Sequence, residues 1–283
     1  LIFGVCLYCQ IKPRIYYCHK MLTNHNSLIL SAAKRAFSAT QFYESLYQKD
    51  PKDIEAVPHI RASFFHQCNG LLDCIVDREL VCGTLPPFLR HGQEYPLTIT
   101  ESEKEMDLRH RRITNSVNSI LEIGKNDKCN FLILSDELTG PYCGEILSSL
   151  AWEHHHASVC YWFNEEQLIN DLDSFKPDCL IIASPLVLIS EVILNKVKCI
   201  QIQHISNMSN WNANIDALLV SDEFSVFAHR KLSQQKYQYL SESILIENDP
   251  ISNFASITTH NFDCHPFIRY TVNVCANELE PYL

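Results

Sequence analysis

The pattern of hydrophobic and polar positions divides the chain near residue 124. Before that point, apolar residues recur at the three- and four-residue spacing of an amphipathic helix. This spacing predicts helices over 27–48, with a break at Thr40, and over 101–123. The segment between these two helices, 49–100, contains five prolines. Because proline removes a backbone donor and resists regular structure, short strands and loops are expected there.

After residue 124, short apolar runs alternate with helical patterns. The runs predict strands over 131–134, 158–162, 179–183 and 199–203, and the segments between them predict helices over 145–152, 165–172 and 186–194. Strands that alternate with helices at this spacing form right-handed crossover units, in which helices cover both faces of a parallel sheet. The sequence therefore predicts the α/β class, with a layered, mostly parallel sheet and flanking helices.

The last part of the chain has a different pattern. Strand-like segments over 217–220, 243–246 and 255–259 follow one another without long helices, which predicts a smaller, β-rich C-terminal part that is partly antiparallel. The expected organisation is an α/β core over 27–214 and a β-rich part of the same domain over 215–283. Residues 1–26 are expected to be a non-native or disordered extension, because the chain opens with Leu1 and its first methionine is Met21.

Composition excludes several classes of partner. Of the 283 residues, 46% are hydrophobic and 20% are charged, as in an ordinary globular protein. The net charge of −10 disfavours binding to nucleic acid or to an anionic membrane, since both need clustered cationic side chains. The longest late apolar run, 179–194, is interrupted by Ser184, Pro185 and Glu191, so no membrane span is expected.

The 13 cysteines are expected to be free thiols in a reducing cytoplasm. The chain is long for a disulfide scaffold, the count is odd, and several cysteines lie in predicted buried strands. Two mixed groups of cysteine and histidine leave zinc as an alternative. They are Cys6, Cys9, Cys18 and His19 near the start of the chain, and His260, Cys264 and His265 near its end. The histidine tract at 154–156 is more simply a polar helix end, because consecutive helical residues point in different directions.

One segment near the C-terminus carries the most specific family resemblance. Residues 255–270 form a predicted strand that ends in two threonines, then a short loop and the run Pro266-Phe-Ile-Arg-Tyr270. This segment resembles the strand, loop and Pro-Leu-Ile-Arg-Tyr-Arg-Thr-Gly-Asp run of the adenylate-forming (AMP-binding, acyl-CoA synthetase) superfamily, specifically its branch similar to phenylacetate–CoA ligase. The resemblance implies that Arg269 lies near a nucleotide. A buried arginine paired with a carboxylate of the core is the structural alternative.

Other segments match the family in the same order. Ser221-Asp-Glu-Phe-Ser-Val-Phe-Ala228 looks like the family's Tyr-Gly-x-Thr-Glu motif and the strand after it. Phe42-Tyr43 and Asp50-Pro-Lys-Asp-Ile54 resemble its opening helix, and Lys176-Pro-Asp178 with Ser184-Pro185 is a weaker match. Together the segments span 30–275. The resemblance implies that Glu223 is the family's magnesium-associated glutamate; simple solvation of two adjacent carboxylates is the alternative.

The family's phosphate loop is altered in this chain. The family has Ser-Ser-Gly-Thr-Thr-Gly followed within a few residues by a threonine. If Thr100 is that threonine, the loop falls on Pro87-Phe-Leu-Arg-His-Gly92, where only Gly92 matches and every hydroxyl is replaced. Such loops direct backbone N–H groups and hydroxyls at phosphate oxygens. Each hydrogen bond to a charged group contributes roughly 1.5–3 kcal/mol, so losing three would weaken ATP binding on the order of 10³- to 10⁵-fold.

Other ATP-handling positions differ as well. Val274 stands where the family has the aspartate that holds the ribose, and a valine accepts no hydrogen bond from a hydroxyl. The aromatic residue and glycine of the Tyr-Gly-x-Thr-Glu motif are Leu219 and Val220, with Asp222 in the threonine position. The family's C-terminal lid, which supplies its catalytic lysine, is expected to be absent because the chain stops at Leu283.

The resemblance implies a function and two hypotheses for this chain. In the family, this domain binds ATP, magnesium and a carboxylic acid, forms an acyl-adenylate with loss of pyrophosphate and passes the acyl group to CoA. The altered positions favour a pseudoenzyme, a degenerate homologue that keeps the fold to bind a small acid or a protein partner. The alternative is a divergent, active AMP-forming acyl or aryl-acid ligase that needs a separate lid.

The resemblance also assigns the site. The cofactor-binding residues it implies are Gly92, Thr100, Glu223 and Arg269, with Glu223 as the candidate magnesium ligand. No catalytic residue is assigned. The acid pocket is expected between the strand ends near 180–184, 200–206 and 217–223, because ligands of open α/β sheets bind at the carboxyl ends of the strands.

Overall fold

The protein is described by a computed structural model that covers residues 11–67, 72–85, 99–124, 127–136, 139–184, 187, 189–206, 214–241 and 244–282. Its first helices are α1 (Ile11–Ala39), α2 (Gln41–Tyr47) and α3 (Ala62–Gln67). The predicted break at Thr40 is confirmed, because the Thr40 hydroxyl accepts a hydrogen bond from the backbone N–H of Tyr43 and caps α2. Helix α1 extends back to Ile11, through residues expected to be an extension, while residues 1–10 lie outside the described residues.

The middle of the chain contains a short two-stranded sheet and one long helix. Strand β1 (Gly83–Thr84) pairs antiparallel with β2 (Thr100–Glu101), and α4 (Glu103–Leu121) follows directly. Ser102 starts α4 with a capping box, in which its hydroxyl accepts from the Glu105 N–H and the Glu105 carboxylate accepts from the Ser102 N–H. The predicted helix over 101–123 is therefore confirmed.

The predicted alternation of strand and helix is present after residue 124. The elements are β3 (Asn130–Ser135), α5 (Gly140–Trp152), β4 (His156–Tyr161), α6 (Glu165–Phe175), β5 (Cys179–Ile182), α7 (Glu191–Lys196) and β6 (Lys198–His204). The four strands pair in parallel in the order β4-β3-β5-β6. Two helix starts differ from prediction. Helix α5 begins at Gly140 because Pro141 is tolerated in the first turn, and α7 begins only at Glu191, after the extended backbone of Ser190.

The last strands belong to two sheets. They are β7 (Asp216–Ser221), β8 (Ser225–Arg230), β9 (Tyr237–Tyr239), β10 (Ile244–Asn248), β11 (Phe254–Thr259), β12 (Tyr270–Cys275) and β13 (Leu279–Pro281). Strand β7 pairs in parallel with β6, and β8, β9 and β13 continue the sheet to eight strands. Strands β10, β11 and β12 form a separate antiparallel sheet. The predicted α/β class is confirmed, but the start of the small sheet lies at β10 and not at β7.

Side chains of the large sheet alternate between two hydrophobic clusters. In β3, Phe131 and Ile133 pack with Ile113 and Val117 of α4 on one face. Leu132 and Leu134 pack with residues of α6 and α7 on the other face. A third cluster joins α1 and α2 to the small sheet. Because successive residues of a strand point to opposite faces, helices on both sides are needed to bury β3 completely.

Two kinds of feature are not found in the described ranges. None of the helices there combines the length and the apolar run that crossing a bilayer requires. No group of three or more His, Cys, Asp or Glu side chains in the same ranges is arranged to hold a metal ion. Within those ranges, His265 is buried, and its Nδ1 accepts a hydrogen bond from the backbone N–H of Thr100. Cys264 is a free cysteine. The other zinc alternative, near the start of the chain, falls on side chains outside the described set.

Candidate functional site

A cleft of about 260 Å³ lies where the carboxyl ends of β6 and β7 meet the first half of β12 and the start of α3. Its described lining residues are 61–63, 204–206, 222–223 and 270–273. Ligands of parallel α/β sheets characteristically bind at this end of the strands. The strand ends near 200–206 and 217–223 therefore contribute to one cleft, as expected, whereas the end of β5 near 180–184 is not among its described lining residues.

A tight hairpin between β7 and β8 fixes the two acidic residues of the cleft. The Ser221 hydroxyl accepts a hydrogen bond from the Phe224 N–H at 3.1 Å, and Ser221 pairs across the hairpin with Ser225. Ser225 has a φ of 56°, in the left-handed region that favours glycine. Its buried hydroxyl donates to Glu145 at 2.9 Å, an interaction that glycine would lose. Asp222 and Glu223 are therefore held at a defined place on the hairpin tip.

Glu223 links the large sheet to the small one. The Tyr270 hydroxyl donates to Glu223 Oε1 at 2.6 Å. Burial of the tyrosine, followed by the negative charges of Glu223 and Asp222, raises the Tyr270 pKa well above its ordinary value. Tyr270 therefore remains a protonated donor, and one oxygen of Glu223 is committed to the protein.

Asp222, His204 and Ser206 form a connected set in the same cleft. His204 Nε2 lies 3.5 Å from Asp222 Oδ1, and both side chains are nearly buried. The opposite ring nitrogen, Nδ1, lies 2.5 Å from Ser206 Oγ and also accepts the Ser206 backbone N–H at 3.2 Å. Acceptance of that N–H by Nδ1 leaves the proton of a neutral ring on Nε2, which faces the carboxylate.

A second, smaller cavity of about 60 Å³ adjoins the other side of Glu223. Thr100 and Glu223, two of the residues implied by the family resemblance, both line it. The Thr100 N–H and hydroxyl lie 2.9 and 3.0 Å from His265 Nδ1. Glu101, Glu105 and Arg112 add charge to the wall. The structure thus brings Thr100 and Glu223 to one cavity, while their roles in binding a nucleotide or magnesium remain predictions.

A buried ionic network includes Glu101, one of the residues that line this cavity. Arg109 donates from Nε and Nη2 to Glu101 at 2.8 Å each and pairs through Nη1 with Glu145. Burial raises the pKa of Glu145, although the Arg109 charge opposes the shift. Burial alone would lower the Arg109 pKa, but Glu145 and Glu101 outweigh burial and raise it. Burial also lowers the pKa of the neighbouring Arg112 to about 10. The network fixes α4, α5 and β2 relative to one another.

Arg269 lies outside the described lining of both cavities. Its Nε and Nη2 donate to Glu247 at 2.7 and 3.0 Å, and its Nη1 donates to the carbonyls of Ile54 and Val57 at 2.9 and 2.7 Å. Four of the five guanidinium N–H donors are therefore used within the protein. In the structure, Arg269 is therefore paired with a carboxylate, which is the structural alternative. Contact of Arg269 with a nucleotide stays a prediction.

ATP and magnesium, the cofactors implied by the resemblance, fit the described residues poorly. Val274, at the position of the family's ribose-binding aspartate, is buried in the cluster beneath the small sheet. Its neighbour Asn273 lines the cleft, but Arg269 and one oxygen of Glu223 are already engaged. Gly92 and the altered phosphate loop lie outside the described residues. Among the described family positions, Val274 therefore offers no acceptor to a ribose and Arg269 is already bound within the protein, whereas Thr100 and Glu223 share one cavity.

Sequence reasoning assigned no role to His204, Ser206 or Tyr270. A usable signal was present for the first two, since polar residues that directly follow a buried apolar run at a strand end are candidates for a ligand site. Tyr270 was noted only as part of the matching run. Its contact with Glu223 depends on how the two sheets meet, which no local pattern encodes.

Comparison with known proteins identifies the fold. The sequence matches no protein-family model and no curated protein. A structure of 2-hydroxyisobutyryl-CoA ligase in an open conformation, in complex with 2-HIB-AMP and CoA, is similar with a TM-score of 0.62 at 11% identity over 87% of this chain and 67% of that chain. The same ligase in the postadenylation state with 2-HIB-AMP gives a TM-score of 0.61 at 13% identity over 88% and 62%. This chain therefore has the fold of the adenylate-forming ligases, of which it spans about two thirds.

Proposed function

We propose that this protein is a degenerate homologue of AMP-forming carboxylic acid–CoA ligases that binds a small carboxylic acid in the cleft and does not form an adenylate by itself. The observation that carries the proposal is the arrangement around Arg269 and Val274. Arg269 is engaged by Glu247 and two carbonyls, and Val274 is buried. A nucleotide would have to displace internal bonds to use Arg269 and would find no acceptor at Val274.

The cleft offers one group that can bind a carboxylate. Arg61, the one cationic residue of the described lining beside the acidic Asp222 and Glu223, is exposed. Thr271 and Asn273 add neutral polar groups, and Ala62 and Val272 add apolar surface. A guanidinium is well suited to bind a carboxylate through two parallel hydrogen bonds. A ligand with a carboxylate and a short apolar body, such as an aryl or branched acid, matches these groups.

Calorimetric titration tests the proposal with two sets of ligands. Phenylacetate, benzoate and 2-hydroxyisobutyrate are titrated in one set, and ATP with magnesium in the other. We expect at least one acid to bind, Arg61→Ala to weaken it about tenfold through loss of a charge-assisted contact, and ATP to give no heat at millimolar concentration. Arg111→Ala, which removes an exposed arginine of α4, is the matched control.

A second candidate is the divergent, active ligase. It is favoured by the presence of Thr100 and Glu223 on the wall of one cavity. On this reading ATP binds with micromolar affinity, Glu223→Ala weakens the binding, and pyrophosphate is released when an acid, CoA and a separate lid domain are added. That result would contradict the pseudoenzyme proposal. Failure of every acid to bind would instead leave a protein partner as the role of the fold.

We also propose a cytoplasmic location. The nine cysteines whose side chains the structure describes are all free, and five of them are buried. Free thiols in this number are typical of a reducing compartment. Intact-mass measurement of protein alkylated without reduction, after purification under air-free conditions, checks the free state.

A further inference from the structure

Three side chains of the cleft are connected as nucleophile, base and orienting acid. Ser206 Oγ lies 2.5 Å from His204 Nδ1, and His204 Nε2 lies 3.5 Å from Asp222 Oδ1. A hydroxyl within hydrogen-bond reach of an imidazole whose other nitrogen faces a carboxylate is the arrangement that activates a serine for attack on a carbonyl. Nδ1 faces the serine here, so the two ring nitrogens have exchanged the roles they have in chymotrypsin-like enzymes.

The topology explains why these residues meet. His204 is the last residue of β6, Ser206 lies two residues after it, and Asp222 comes directly after β7. Strands β6 and β7 are parallel neighbours in which His204 is level with Val220, so both carboxyl ends reach the same edge of the sheet. The base and the acid are therefore held by the rigid sheet, and the serine by a short turn attached to it.

The three side chains differ in exposure: a serine nucleophile must be accessible, while its base and the orienting acid can be buried. The side chains of His204 and Asp222 are 6% and 10% exposed, whereas Ser206 is exposed. All three line the 260 Å³ cleft, as do Arg61 and Asn273. A ligand in the cleft can therefore reach the hydroxyl, while the imidazole and carboxylate are shielded from water, which strengthens their interaction.

We propose that Ser206 is a nucleophile toward activated acyl esters and thioesters, with His204 as its general base and Asp222 as a positioning residue. The inference uses the cleft of the proposed function but not the binding of a free acid or ATP. Its product is a carboxylic acid, the class of ligand named in the proposed function. It assigns an acyl-transfer activity that the adenylate-forming reaction does not include.

The step balances without a cofactor. Ser206 Oγ forms a bond to the carbonyl carbon while its proton passes to His204 Nδ1. The bond from that carbon to the alcohol or thiol breaks, and the leaving group takes the proton from His204. Water then attacks the seryl ester in the same way, the Oγ–carbon bond breaks, and the carboxylic acid and the free serine are released.

A local turn is the competing explanation for the contact between Ser206 and His204. The Ser206 N–H donates to His204 Nδ1 at 3.2 Å, and this bond alone would bring the hydroxyl close. It does not account for Asp222, which arrives from a different strand to face the other nitrogen. The two explanations differ in reactivity, because a hydroxyl in a plain turn has the low reactivity of any surface serine.

Covalent labelling distinguishes an activated serine from a serine in a plain turn. The whole protein is treated with a fluorophosphonate, which forms a phosphorus–oxygen bond to an activated serine with loss of fluoride, and is analysed by intact mass and peptide mapping. We expect one adduct, on Ser206, that is absent in Ser206→Ala and about 100-fold slower in His204→Gln. Ser190→Ala removes a half-buried serine that contacts Glu165 and is the matched control. Absence of labelling, or equal labelling of Ser206→Ala, overturns the proposal.

Turnover of p-nitrophenyl acetate tests the role of Asp222. We expect a burst of nitrophenol equal to the protein concentration in the wild type and none in Ser206→Ala. Asp222→Asn should lower kcat about tenfold or more with little change in KM, and Asp222→Glu should restore part of it. Equal kcat in the wild type and Asp222→Asn would overturn the positioning role. Acid binding is measured separately by calorimetry. A failure of the acid-binding proposal therefore does not change the interpretation of this experiment.

Discussion

Arg269 and Glu247 face each other as a two-point ion pair, with Nε 2.7 Å from Oε1 and Nη2 3.0 Å from Oε2. The pair ties the residue before β12 to β10, and the remaining guanidinium contacts reach back to the carbonyls of Ile54 and Val57. Arg269 has a φ of 50°, a left-handed conformation that is unfavourable for a residue with a side chain. Its hydrogen bonds offset that cost, which indicates that the residue stabilises the small sheet.

Replacement of Arg269 by Ala should therefore destabilise the fold. The side chains of Arg269 and Glu247 are 12% and 17% exposed, so truncation leaves a largely buried carboxylate without its partner. We expect the free energy of unfolding to fall by about 3 kcal/mol, as for other broken buried pairs. Urea unfolding measures it. Lys196→Ala breaks the exposed Lys196–Asp173 pair and should cost less than about 1 kcal/mol. Equal losses for the two variants would contradict a structural role for Arg269.

Tyr270 should make the protein sensitive to alkali. Its pKa is raised well above the ordinary value in the folded protein by burial and then by Glu223, while the unfolded chain keeps a pKa of about 10. Above pH 10 the unfolded state loses the proton and the folded state keeps it. The stabilisation is therefore present below pH 10 and lost above it, by about 1.4 kcal/mol at pH 11 for this residue.

Urea unfolding at pH 9 and pH 11 measures this dependence. Tyr270→Phe should lose less stability between the two pH values than the wild type does, although it is less stable at pH 9 because Glu223 loses its donor. Buried Tyr43 and Tyr142 have raised pKa values too, so part of the alkaline loss remains. Tyr161→Phe, at a half-exposed position, is the control. An unchanged slope in Tyr270→Phe would exclude the buried, Glu223-bound hydroxyl as a source.

His229 should make the protein sensitive to acid. It is fully buried on β8, its Nε2 lies 3.1 Å from Ser119 Oγ, and burial lowers its pKa to about 4. Between pH 6.5 and 4 the unfolded state binds a proton that the folded state does not, so stability falls as the pH falls through this window. The loss from this residue is about 2 kcal/mol at pH 5.

Thermal and urea unfolding at pH 7.5 and pH 5 test the His229 prediction. His229→Gln keeps a hydrogen-bonding group near Ser119 but removes the titration, so its stability should change less between the two pH values than that of the wild type. His154→Gln, in the turn after α5, is the control. If the wild type and His229→Gln show the same pH dependence, the acid sensitivity arises elsewhere.

Local sequence patterns predicted those strands and helices whose burial can be inferred from their own residues. Strands β3 and β5 contain continuous apolar runs because both of their faces are covered, and such runs are visible in any sequence. The start of α5 was placed too late because Gly140 and Pro141 suggest a loop, although proline is tolerated in a first helical turn. The placement of β7 in the large sheet was missed, because a strand does not encode which partner it pairs with.

The candidate site followed from the sequence only in part. Glu223 was reached through the family resemblance, and Thr100 joins it at one cavity. The contact between His204 and Asp222 spans 18 residues and depends on the register of β6 against β7, so no motif reports it. Arg269 required a choice between a nucleotide and a core carboxylate. Its partner in the structure, Glu247, lies on β10 and has no sequence signature of its own.

The loss of stability caused by replacing Arg109 should depend on a second residue, Glu145. Arg109→Met leaves Glu101 and Glu145 without the cation that pairs with both of them, and the free energy of unfolding should fall by about 3–5 kcal/mol at pH 8. Burial already raises the Glu145 pKa, and loss of the opposing Arg109 charge raises it further. The folded state then holds a proton that the unfolded state releases, so the destabilisation should be smaller at pH 5.5 than at pH 8.

The double variant Arg109→Met with Glu145→Gln isolates this effect. Glutamine removes the uncompensated charge and still offers an acceptor to the Ser225 hydroxyl, so the double variant should be more stable at pH 8 than Arg109→Met alone. Its stability should also change less between pH 5.5 and pH 8, as measured by urea unfolding. Arg111→Ala, an exposed change on the same helix, is expected to have almost no effect. If Glu145→Gln rescues nothing, the cost of Arg109→Met is lost packing and not an unpaired charge, because a charge penalty would be removed with the carboxylate.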